Sequence, residues 1–133
     1  GFETYPHLVE GSSASYENLD NAQTGIHDYF KYLKFGFGRA SDIASLHVRR
    51  GRLSRSDAVS LVRRLDGRFP QSYLGVPLSH TLATTGYEGT PAFAQRTFEM
   101  IADRFTNRAL FKTDAQGNLA KRPDGSPERL NEP

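Results

Sequence analysis

Ile26-His27-Asp28-Tyr29-Phe30-Lys31-Tyr32-Leu33-Lys34-Phe35-Gly36-Phe37-Gly38-Arg39-Ala40-Ser41-Asp42 is the stretch on which the reading of this chain turns. Ile26, Tyr29, Phe30 and Leu33 recur at helical spacing, so the segment predicts a helix from about Gln23 to Phe35 with one apolar face. Asp20 or Asn21 can cap it, because their side-chain oxygens accept the free N–H groups of a first turn. Gly36 and Gly38 end it, since glycine tolerates the left-handed backbone of a helix C-terminus.

Downstream the same logic predicts a short helix over Asp42–Arg50, capped by Ser41 or Asp42, with Ile43, Leu46 and His47 inward and Gly51 as its stop. A third helix starts at Ser54, with Asp57 three residues on as an approximate capping box. Ala58, Leu61, Val62 and Leu65 form its apolar face, and Gly67 closes it. The pair makes a helical hairpin. Residues 68–90 carry Pro70, Gly75, Pro77, Gly86 and Gly89 and read as loop, with a turn of helix near Leu78–Ala83. Thr90 as cap and Pro91 at the first position open the last helix. Its buried face is expected to be Phe93, Thr97, Ile101 and Phe105, with Ala94 and Phe98 beside them, and its end near Asn107. Leu110–Thr113 reads as extended, and residues 114–133, rich in glycine, proline and charge, as a mobile tail. Residues 1–20 read as irregular, with Phe2, Tyr5, Leu8 and Tyr16 as anchors. No alternating pattern builds a sheet. The fold class is therefore mainly α, a small domain or subdomain of about four helices with long loops, divided as 1–20, 21–113 and 114–133.

At 133 residues this is one domain or part of one. Its low hydrophobic content, with mean hydropathy −0.58, suits a small core rather than a large catalytic cleft. Without cysteine, disulfides and thiolate metal sites are excluded. No signal peptide and no apolar run of roughly 18 residues is present, so no membrane contact and a cytoplasmic location are expected. The net charge is only +2, but Arg39 to Arg68 holds eight arginines against three aspartates. Such a patch attracts phosphates or carboxylates, or is simply a solvated face.

Familiar catalytic motifs are missing from the sequence. There is no Walker-type loop, and Gly36-Phe37-Gly38-Arg39 follows a helix rather than a strand. No histidine or carboxylate cluster has metal-ligand spacing. His27 and Asp28 are helical neighbours and should point apart. His47 and His80 have no motif around them. What remains is charge beside glycine. Lys34 and Arg39 flank a turn where backbone can approach a ligand, and both suit phosphate or carboxylate oxygens. The alternative is that Lys31 and Lys34 complement the helix dipole and Arg39 caps carbonyls. Secondary candidates are His27, Lys31 and Asp42. Tyr29, Phe30, Tyr32, Phe35 and Phe37 can stack a base or sugar, but are more simply core. The Arg49–Arg55 group reads as a solvated or interface surface.

The run from Ile26 to Asp42, followed by Arg49-x-Gly51-Arg52-Leu53-Ser54-Arg55-x-x-Ala58 and by Phe98-x-x-Ile101-x-Asp103-x-Phe105 with Leu110-Phe111, resembles the C-terminal region of the N-acetyl sugar amidotransferases of lipopolysaccharide and surface-sugar biosynthesis. The resemblance covers roughly residues 18–113. It implies an N-terminal ATP-pyrophosphatase domain with a Ser-Gly-Gly-x-Asp-Ser loop, ATP with Mg2+ bound mainly by that domain, a nucleotide-sugar substrate and a glutaminase partner that supplies ammonia. The implied product is an acetamidine, made by adenylating the acetamido oxygen and displacing AMP. The ATP loop is not in this sequence, so the chain by itself is expected to be inactive. The resemblance further implies that Lys34 and Arg39 face substrate phosphates. Two other classes stay open: a basic helical module for nucleic acid, since paired short helices mimic a helix-turn-helix, and a homo-oligomerisation domain.

Overall fold

The computed structural model describes residues 3–16, 18–84 and 91–131, with the side chain of Pro91 left out. Among these residues the chain is mainly helical. The helices are α1 (Thr24–Phe35), α2 (Arg39–Arg49), α3 (Arg55–Leu65), α4 (Leu78–Thr84) and α5 (Pro91–Phe105), followed by a 3-10 turn over Arg108–Leu110.

The aromatic face of α1 builds the core. Tyr29, Tyr32 and Leu33 are buried against Phe69, Leu78, Phe98, Ala102, Phe111 and Leu119. The rings meet edge-on, Tyr29 with Phe69 at 5.5 Å and Phe69 with Phe98 at 5.8 Å, the arrangement ring quadrupoles favour. Phe35 and Phe37, expected in this core, lie outside it and are half exposed, because α1 ends at Phe35 and the chain turns away. Gly36 makes that turn, with φ +77° and its N–H donating to the Tyr32 carbonyl. The carbonyls of Leu33 and Lys34 are taken by the backbone and side-chain N–H groups of Asn107.

The start of α2, the face of α5 and the loop after α3 also differ from expectation. First, α2 begins at Arg39, not Asp42. Gly38 is its N-cap in extended conformation, φ −124°, so this glycine is not a left-handed stop. Its cap comes from another helix: the Asp66 carboxylate accepts the Gly38 N–H at 2.8 Å. Second, α5 is rotated. Ala94, Phe98 and Ala102 are buried, while Phe93, Ile101 and Phe105 are each about half exposed. Phe98 sets its ring against both Tyr29 and Phe30 of α1, while Phe105 meets only the edge of α1, its ring 5.1 Å from Phe30. Thr90, expected as its cap, lies outside the described residues. Third, the loop after α3 holds a small antiparallel hairpin, β1 (Ser72–Tyr73) with β2 (Val76–Pro77), in the register Ser72↔Pro77 and Tyr73↔Val76. Its turn residues Leu74 and Gly75 both have positive φ, as a primed hairpin turn requires.

The third helix follows its expectation: Ser54 accepts the Asp57 N–H at 3.1 Å, and Ala58 and Val62 pack on Ala44 of α2. Of the expected N-terminal anchors, Phe2 lies outside the described residues and Leu8 and Tyr16 are exposed; Val9, Ser12 and Ala14 are buried instead. Residues 114–131, the segment expected as a mobile tail, are irregular and anchored. Isolated antiparallel bridges join Phe111 to Arg129, Thr113 to Leu119 and Lys121 to Pro127. Leu119, Ser126, Pro127 and Arg129 are buried.

Candidate functional site

The α1–α2 corner brings charge together. Asp28 on α1 accepts from Arg39 Nε at the start of α2, at 2.6 Å. With its amide turned so that oxygen faces the guanidinium, as the neighbouring donors require, Asn18 accepts from both terminal nitrogens of Arg39, Nη2 at 2.8 Å. The Arg39 side chain is only 12% exposed, so the guanidinium is fixed by hydrogen bonds on two sides. One turn along, Lys31 of α1 pairs with Asp42 of α2 and also lies over the Phe37 ring at 4.9 Å.

Two cavities open on either side of the Asp28–Arg39 pair, which lines both. The wider is an open groove of about 1110 Å³, with Ile26, Phe30, Leu46 and Phe105 as apolar floor and His27, Lys31 and Asp42 on its charged wall. The narrower is a cleft of about 270 Å³ between the N-terminal segment and the α3–β1 loop, where Glu10, Asp66 and Arg68 face Tyr29 and Phe69. Glu10 is a latch there: it accepts the N–H groups of Leu74 and Gly75 and the Ser72 hydroxyl. Partial burial acts to raise its pKa, but these hydrogen bonds outweigh it and hold the carboxyl below the usual range.

Of the residues picked from sequence, His27, Lys31, Arg39 and Asp42 share the groove. Lys34 lines neither cavity; it lies one turn beyond Lys31, exposed, with its ammonium over the Phe35 ring at 5.1 Å. His27 is not a packed histidine, since 83% of its side chain is exposed, and it sits 3.9 Å from the Asp28 carboxylate rather than turned from it. The other seven arginines of the basic run are exposed; Arg39 is the one drawn into the structure.

Sequence reasoning passed over Asp28, Asn18 and Asp66. The strongest missed signal is Asp66. It is the C-cap of α3, where the helix dipole disfavours a carboxylate. An acid there needs a partner elsewhere, and it has three: the Gly38 N–H, the Ser41 hydroxyl and Arg129, each at 2.8 Å from Oδ2.

These side chains can hold an anion or a polar ligand, but they offer no metal centre. Among the described residues no group of three or more histidines and carboxylates could ligate a cation, and none of the described helices is long and apolar enough to cross a membrane. The family model for the C-terminal domain of WbpG-like LPS biosynthesis proteins matches residues 2–123. The chain belongs to this family. No curated protein matches it. The WbpG-like match takes in the whole α1–α2 corner and both cavities, and stops before Arg129, which completes the polar network behind Gly38.

Proposed function

We propose that this WbpG-like domain is the substrate-side part of a cytoplasmic, ATP-dependent N-acetyl sugar amidotransferase, which converts the acetamido group of a nucleotide-linked sugar to an acetamidine for surface polysaccharide. Membership in an LPS biosynthesis family supports the pathway class. The observation that carries the reading further is the Asp28–Arg39 pair standing between two cavities. A fixed guanidinium at such a wall stabilises an anionic substrate without reorganising when it arrives. The aromatic and apolar floor of the groove suits the less polar faces of a sugar or base.

In this reading ATP and Mg2+ are held mainly by a separate ATP-binding domain. The Ser-Gly-Gly-x-Asp-Ser loop is absent from the sequence, and the carboxylates at the corner are already engaged by Arg39, Lys31 and Arg129. Activation and the supply of ammonia therefore fall to an ATP-binding domain and a glutaminase partner. What this chain contributes is binding, charge and the exclusion of water that competes with ammonia.

The test is Arg39→Ala in the full-length polypeptide that carries this domain, assayed by mass spectrometry for the acetamidine product. The KM for the nucleotide sugar should rise about tenfold or more, the cost of about 1.4 kcal/mol of lost binding. Unchanged KM and kcat would sink the assignment of this corner.

A further inference from the structure

We infer that Asp66, held by Arg129 of the C-terminal segment, is a positioning residue for the α1–α2 corner and sets where Arg39 stands. The inference rests on the proposal that Arg39 meets substrate, and adds a residue pair that meets none.

The geometry is specific. Asp66 is 2% exposed, and its Oδ2 takes three donors from two distant parts of the chain. Its other oxygen, Oδ1, has no hydrogen-bond partner among the described residues. The direction of the carboxylate is therefore fixed by the donors to one oxygen alone. Two of them, Gly38 and Ser41, belong to the first turn of α2, where a carboxylate complements the helix dipole. The third is Arg129, 8% exposed, which is the charge partner and lies over the buried Tyr32 ring at 5.1 Å.

Gly38 confirms how tight the approach is. A Cβ there would come within 2.6 Å of Asp66 Oδ1. The position needs glycine for space, since its backbone is ordinary extended chain. Arg39 follows directly, with its guanidinium 2.6 Å from Asp28. If the carboxylate rotates or shifts, the Gly38 amide loses its acceptor and the start of α2 moves with it. An angular error at Gly38 is amplified along the Arg39 side chain, and a site loose by about 1 Å loses much of its preorganisation. Residues 111–131 thus act on the corner from behind, through the Asp66–Arg129 ion pair and the bond from Arg122 Nη1 to the Asp66 carbonyl at 3.2 Å.

Steady-state kinetics of the full-length polypeptide separate positioning from mere stability. Loss of folded enzyme lowers kcat per total protein and leaves KM alone. Misplacement of Arg39 raises KM for the nucleotide sugar. Arg129→Met keeps a long unbranched side chain beside Tyr32 and removes the charge; it should raise KM about 2- to 30-fold, the range seen for residues that act without touching ligand. Arg129→Lys should recover most of that loss. Should Arg129→Met fail to fold, Ser41→Ala takes its place, with a smaller rise in KM. If the folded variants among these keep the wild-type KM while Arg39→Ala raises it, the inference is wrong and the proposed function stands. If Arg39→Ala itself leaves KM unchanged, it is the proposed function that fails.

Discussion

Gly51 and Gly67 have nearly the same backbone, φ +66° and +67°, and close the two ends of one helical hairpin. They stand in opposite surroundings. A Cβ on Gly51 would meet nothing within 4 Å; one on Gly67 would fall 2.2 Å from the Tyr32 ring. Around Gly51 lie Arg49, Arg50, Arg52 and Arg55, all exposed. Around Gly67 lie Asp66, Arg122 and Arg129, packed on and bonded around Tyr32, with Arg122 Nη2 donating to the Tyr32 hydroxyl at 3.1 Å. The same residue types make a solvated tip at one end and a buried network at the other. Arginine content and turn chemistry do not tell the two apart. What does is whether an acid and an aromatic ring arrive from elsewhere in the chain.

The contrast predicts unequal costs for one chemical change. Gly67→Ala combines left-handed strain with a clash against a ring that is wholly buried and cannot retreat. It should lose about 3–5 kcal/mol, a large part of the stability of a domain this size. Gly51→Ala meets only the strain and should lose about 1–2 kcal/mol. Urea denaturation of both variants checks the pair. Equal losses would mean that contact with Tyr32 is not what distinguishes the two ends.

The tip was legible in the sequence and the buried end was not. Ser54 and Asp57 form a local cap, Gly51 a local stop, and the face of α3 is local periodicity, so a window of a few residues contains the whole argument. The start of α2 depends on Asp66, 28 positions away, and Asp66 on Arg129, 63 positions further. No pattern near Gly38 announces either. Ser41 looked like a cap because it was the nearest hydroxyl; its bond goes to Asp66 instead. The α5 face was misread for another reason: Phe93, Ile101 and Phe105 are large and apolar, while Ala94 and Ala102 decide the packing because they are small. For the site, the sequence named His27, Lys31, Arg39 and Asp42 one by one, and the groove they share exists only where α1 and α2 pack. The sequence could not show that Asp28 and Asn18 hold Arg39, since both contacts cross the turn between helices.

The smallest expected effect sharpens the same contrast through pH. The buried end carries a carboxylate latch, Glu10 on the 72–75 turn, and the tip carries none of this kind. Leu74 has φ +51°, a strained value for leucine, and the bond from its N–H to Glu10 at 2.9 Å helps to hold it there. Glu10 titrates below its ordinary value of 4.5 in the folded chain. A depressed carboxyl stabilises the fold above its unfolded pKa and loses that contribution as pH falls through the folded one. The latch should therefore act fully at pH 6 and weaken below about pH 4.5. Glu10→Gln should lose about 0.5–1 kcal/mol at pH 6, since its hydrogen bonds are partly solvated. The gap between variant and wild type should be smaller at about pH 3 than at pH 6, because protonation removes the charge that the bonds favour. Urea denaturation at the two pH values measures it. A gap that is the same at both would show that shape, not charge, makes the latch, and that the two ends of the hairpin differ in packing alone.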